Sequence, residues 1–176
     1  MNTADRSINE LELPAALPSD IKVIHIGGSY STAIEPSASS YAALVAREKD
    51  RRLISYDPNI RDSVAPDLDL WRARVAVLSA SAHLIKASDE DLAKLYPGRS
   101  FEMVAREWMA GGARLVLITL GGEGAIGFTA RGVSTRVPGV KVKIIDTVGA
   151  GDTFQAATLD WLGRKERLSP RIRHGF

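Results

Sequence analysis

Four short apolar runs, each closed by a polar or glycine-rich motif and the first three followed by helical stretches, restrict this chain to few architectures. Residues 21–26 end at Gly27-Gly28-Ser29, residues 52–56 at Asp57-Pro58-Asn59-Ile60-Arg61, residues 83–86 at Ser88-Asp89-Glu90-Asp91, and residues 114–119 at Leu120-Gly121-Gly122-Glu123-Gly124. Between the first two, Ala38, Tyr41, Ala42 and Val45 recur at helical spacing within residues 37–49, after a Glu35-Pro36-Ser37 start. A second helix is predicted over 67–80, with Leu70, Val77 and Leu78 inward, and two more over 89–95 and 101–110, separated by Pro97-Gly98. Strands alternating with helices imply a mostly parallel sheet reached by right-handed crossovers, an α/β fold. The RLVLIT run of residues 114–119 suits a strand covered on both faces. Residues 125–129 and 133–137, separated by Ala130-Arg131-Gly132, predict an antiparallel pair. Ligands in such sheets collect beyond the carboxyl ends of the strands, so the four motifs are expected at one rim.

Composition narrows the chemistry. A chain of 176 residues, 45% hydrophobic and 25% charged, is long enough for one substantial core. With no cysteine there is no disulfide, thiolate zinc site or thiol nucleophile, and His25, His83 and His174 lie too far apart for metal-ligand spacing. Any metal would take oxygen ligands. No run reaches the ~18–20 apolar residues that span a bilayer, and residues 1–20 are acidic and polar, unlike a secretory signal, so no membrane and a cytoplasmic location are expected. The net charge of +2 conceals a basic end, Arg164, Lys165, Arg167, Arg171 and Arg173 against Glu166 alone. A nucleic-acid binder would spread such charge over a folded face with aromatics interleaved, so no nucleic-acid partner is expected. A tail-driven RNA-binding module is the rival that this charge leaves open.

The stretch Asp146-Thr147-Val148-Gly149-Ala150-Gly151-Asp152-Thr153-Phe154 carries the chemistry. From Ala150 onward, Ala150, Phe154, Ala157, Thr158 and Trp161 mark one helical face to bury, which puts the glycines at the helix start. A helix start offers unpaired N–H groups and partial positive charge, and Gly149-Ala150-Gly151 has no bulky side chain to keep a phosphate away from them. Asp152 in the first turn would then sit beside the anion, a place that suits a general base accepting a hydroxyl proton as the oxygen attacks phosphorus. A capping carboxylate above a tight turn is the plainer reading of the same spacing.

The Asp146-to-Ala157 stretch closely resembles the signature of the ribokinase-like (PfkB) carbohydrate kinases, and it follows a Thr119-Leu-Gly-Gly-Glu-Gly124-Ala nucleotide loop at those kinases' interval. Asp57-Pro58-Asn59-Ile60-Arg61 and the Lys86-to-Asp91 segment are similar to the fructokinase branch. The resemblance covers residues 3–162 and implies a three-layer αβα, Rossmann-like fold. It also implies an ATP-dependent phosphotransferase acting on a sugar's primary hydroxyl, with ATP and Mg2+ and, for some relatives, K+. Carried over by position, Asp152 is the base, and Gly149, Ala150 and Gly151 form the anion hole. Thr119, Gly121, Gly122, Gly124 and Ser88 line the nucleotide site, and Asn59 and Arg61 meet substrate or phosphate. Asp91 serves the metal through water, and Asp146 a monovalent cation. Ordinary roles stand beside these: a surface ion pair for Arg61, a strand-end turn for Asp146, and a capped, solvated helix start for Ser88 to Asp91.

The sequence departs from the family where many relatives carry Asn-x-x-Glu, for here Ser88 and Asp91 take those places. Full kinases of the family begin with a sheet region holding the sugar pocket and a small β lid, and residues 1–20, linker-like, offer neither. The expected organisation is therefore an incomplete ribokinase-like core over 21–163 with a disordered basic tail over 164–176. An open sheet edge would remain, inviting a homodimer. A nucleotide-binding fragment without turnover, or a kinase for ribose, a nucleoside or 2-keto-3-deoxygluconate, are the alternatives to a fructokinase-like reading.

Overall fold

Three helices of the sheet's first face begin where a side chain satisfies the free amides of the first turn. In the computed structural model, which describes residues 7–143 and 146–170, Asp67 accepts from Asp69 and Leu70 at the start of α3 (Leu68–Ser79). Ser88 accepts from Asp91 at the start of α4 (Asp89–Leu95), and Ser100 from Met103 at the start of α5 (Phe101–Ala110). Before them come α1 (Ser29–Ala33) and α2 (Ser37–Glu48). The strands are β1 (Val23–Gly27), β2 (Leu53–Asp57), β3 (Leu84–Ser88), β4 (Leu115–Thr119), β5 (Ala125–Thr129) and β6 (Ser134–Val137), and the last helix is α6 (Ala150–Arg164).

The six strands form one sheet in chain order, β1 to β4 parallel, with β5 and β6 added antiparallel. Because every parallel crossover steps the same way, right-handedness puts α1 to α5 on one face. There Ile54, Tyr56, Ile85, Ala87, Val116 and Ile118 pack with Trp71, Val75, Val104 and Trp108. On the other face α6 sets Leu162 against Leu84 and Leu115. Strand alternation explains the division, since Ile85 and Ala87 point one way and Leu84 and Lys86 the other.

Several expectations change. Val77 is 55% exposed, whereas Leu78 is buried as read and Leu70 packs partly buried against the core; Trp71, Val75 and Ser79 complete the buried face of α3. The stripe Ala150, Phe154, Ala157, Thr158 and Trp161 is not the buried face of α6: Gln155 and Leu162 are, and the apolar stripe lines an open cleft. Periodicity registers which face is apolar and carries no information about what covers it. Helix α1 stands where the sequence suggested loop. The described part of the linker-like start is tied to α2: Ile8 N–H donates to Ser37, Arg47 to the Pro14 carbonyl, and Arg52 to those of Leu17 and Pro18. The end of the basic tail, residues 171–176, lies outside the described residues.

Candidate active site

Helix α6 starts at Gly149, whose φ of 76° is left-handed, and no side chain caps its first turn. A left-handed N-cap costs glycine little and lets the chain turn sharply from Asp146, whose Oδ1 accepts from Val148 N–H at 2.9 Å. Uncapped first-turn amides facing an open cleft are ready to receive an anion. Asp152 is exposed in that turn. Gly151 sits directly over Lys86, for a Cβ there would come within 2.7 Å of the ammonium nitrogen.

Lys86 is the largest surprise of the site. It is buried on β3 and bonded to Asp57 Oδ2 at 2.8 Å, the two side chains 7% and 5% exposed. Burial pushes the Asp57 carboxyl above the usual carboxylate range, while Lys86 pulls it back. A second polar chain lies beside this pair under α6. Gln155 Nε2 donates to Ser55 Oγ at 2.5 Å, and Ser55 Oγ lies 3.0 Å from His25 Nδ1. Partial desolvation of the imidazole lowers the His25 value, against the pull of Asp57 and Asp152.

The sequence-assigned residues line one open cleft of about 1810 Å3, from Asn59 and Arg61 through Ser88 and Asp91 to Thr119, Gly121, Gly122, Gly124, Asp146 and the loop from Gly149 to Asp152. The loop after β4 closes flush on the segment after β6: a Cβ on Gly124, where φ is +102°, would overlap the Val137 carbonyl oxygen. Three residues also have structural duties. Asp91 is buried with Oδ1 accepting from Ile60 N–H at 3.0 Å, and Ser88 caps α4. Asn59 takes a left-handed φ of 44° and donates its N–H to Asp57 Oδ1. Arg61 is exposed, its Nη1 turned back on the Ile60 carbonyl at 2.9 Å. Among the described residues no three acidic or histidine side chains gather as a metal site. Magnesium suits that arrangement only as a largely hydrated ion held by nucleotide phosphates with a carboxylate nearby.

His25, Ser55, Lys86 and Gln155 escaped the sequence reading. A signal was present: His25, Ser55 and Lys86 are each the third residue of an otherwise largely apolar five-residue strand, and alternation puts all three on the α6 side.

A mostly parallel sheet with flanking helices, its carboxyl rim meeting an uncapped helix start, makes this chain an α/β protein of the three-layer class. It belongs to the pfkB family: the description "pfkB family carbohydrate kinase" matches residues 1–175. It is 39% identical to a fructokinase of Rhizobium leguminosarum bv. trifolii over 169 residues, 96% of this chain and 51% of that protein. Among solved structures, a fructokinase from Vibrio cholerae O395 in fructose-, ADP- and calcium-bound form is similar at 32% identity and a TM-score of 0.77, over 91% of this chain and 51% of that one. A PfkB protein from Polaromonas sp. JS666 aligns at 28% identity and a TM-score of 0.74, over 89% of this chain and 52% of that one. The chain spans about half the length of the curated relatives it matches. Among the described residues no helix is long and apolar enough to cross a membrane.

Proposed function

We propose that this chain carries the phosphoryl-transfer half of an ATP-dependent sugar kinase, with fructose the favoured acceptor from the names of its relatives. The observation that carries the reading is the uncapped start of α6, with Asp152 in its first turn, opening on the cleft that also holds the loop after β4. The triphosphate would lie between Thr119, Gly121, Gly122, Gly124 and Ser88 on one side and the amides from Gly149 to Gly151 on the other. Asn59 and Arg61 reach the same cleft from the β2 side, where a guanidinium fork suits phosphate. In the transfer, the acceptor oxygen bonds to the γ-phosphorus as the bond to the β–γ bridging oxygen breaks. Asp152 takes the hydroxyl proton, and ADP leaves with the bridging oxygen. The amides of α6 stabilise the charge on the moving phosphoryl group. Magnesium, when bound, neutralises charge on the β- and γ-phosphates; Asp91 is the carboxylate we place nearest its waters, and Asp146 the one beside a monovalent cation.

Replacing Asp152 with Asn tests this reading. A non-hydrolysable ATP analogue with magnesium is expected to bind both forms alike, while fructose-dependent ADP release disappears in the variant. Equal ADP release from wild type and variant would refute the base assignment. The open side of β1, which among the described residues pairs with β2 alone, is where we place a second copy of the chain. Sedimentation is expected to show a concentration-dependent dimer, and a monomer at all concentrations would remove that proposal.

A further inference from the structure

Behind His25 stands a hydrogen-bonded chain able to select which ring nitrogen carries the proton. Ser55 Oγ accepts the Gln155 amide proton and lies 3.0 Å from His25 Nδ1, so its own hydroxyl proton can go to that nitrogen. In that arrangement the neutral imidazole carries its proton on Nε2. Ser55 and Gln155 are 0% and 2% exposed, whereas the imidazole they hold is open to solvent. A buried pair fixing an exposed ring is more than a core histidine requires. The ring lies along β1 over Gly27, where a Cβ would come within 2.6 Å of Nε2, so glycine is what permits this pose. Nε2 therefore faces the carboxyl rim.

Position along the sheet says which ligand meets it. The nucleotide loop follows β4, and β1 lies at the opposite end of the parallel strands, beyond the β2 and β3 residues that α6 covers. Asp57 from β2, Lys86 from β3 and Asp152 from α6 are all within electrostatic reach of the imidazole. The phosphate donor thus occupies the β4 side of Asp152 and leaves the β1 side to the acceptor. Resting on the sugar-kinase reading above, we infer that His25 is an acceptor-binding residue whose Nε2–H donates to a sugar oxygen beside the hydroxyl that Asp152 deprotonates, with Ser55 and Gln155 positioning it.

The test is nitrogen-detected NMR of the full chain, titrated first with the non-hydrolysable ATP analogue and magnesium and then with D-fructose. The analogue is expected to move the amides of Gly149 and Gly151, and fructose then to move His25 Nε2–H. Gln155→Leu is expected to mix the His25 tautomers and weaken fructose binding about tenfold, leaving analogue affinity unchanged. His25→Ala is expected to weaken fructose binding at least as much, and His25→Gln, which keeps a donor, to recover part of it. Analogue binding with fructose leaving His25 unmoved, or unchanged fructose affinity in His25→Ala, would overturn this assignment alone. Failure of the analogue to bind would overturn the parent reading and this one with it.

Discussion

Lys86→Met is expected to lower the stability of this chain by about 3–5 kcal/mol, the cost of leaving one member of a buried ion pair without its partner. The Asp57 carboxylate would remain, bonded to Asn59 N–H but stripped of the ammonium 2.8 Å from Oδ2. The effect carries a pH signature. Burial already holds the Asp57 value above that of an unfolded carboxylate, so the folded state keeps that proton more tightly than the unfolded chain. Stability from this group is therefore greatest at low pH and falls as pH rises from the ordinary carboxylate range through the raised folded value. Removing Lys86 moves that upper limit higher, so the deficit should be larger at pH 8 than at pH 5. Urea unfolding at the two pH values measures it, and Asp57→Asn in the Lys86→Met background should restore most of the loss. A deficit independent of pH would mean that the pair contributes packing only.

Gly151→Arg is expected to weaken binding of the ATP analogue by at least about 100-fold, on the order of 2.8 kcal/mol. Two effects add. The new side chain enters the cleft at the helix start and takes the volume an anion would occupy, and its Cβ meets the Lys86 ammonium, 2.7 Å away. Its guanidinium also adds like charge beside that ammonium, where the only carboxylate bonded to the lysine is already committed. Gly151 has an ordinary negative φ, so the backbone accepts a side chain there, and urea unfolding of the variant measures what displacing the Lys86 ammonium costs.

Much of this was legible in the sequence. The apolar runs of β1 to β4, the Ser88 cap and the Ala130-Arg131-Gly132 turn were local signals, and the structure has elements in those places. Helix α1 was not legible, since Ser29-Tyr30-Ser31-Thr32-Ala33 is short and rich in residues that compete with the helical backbone, and tertiary contacts to α2 and α3 decide it. The stripe of α6 misled for a related reason. Phe154, Ala157 and Trp161 are apolar and helically spaced, yet the residue turned onto the sheet is Gln155, because Ser55 waits there to accept its amide. The glycine loop and Asp152 announced themselves by composition, whereas Lys86 and His25 depend on neighbours thirty residues away across the sheet. Strand alternation could have put them on one face, but only the register, His25 against Ser55 and Lys86 against Leu117, brings them under α6.

The central claim, that the start of α6 is a formed phosphate site, is tested most directly by calorimetric titration of the full chain with a non-hydrolysable ATP analogue and magnesium, alongside folded Gly151→Arg. Saturable one-to-one binding by the wild type, lost in the variant, is the predicted result. A folded wild type that binds no analogue, or binds it as well after Gly151→Arg, would contradict the account.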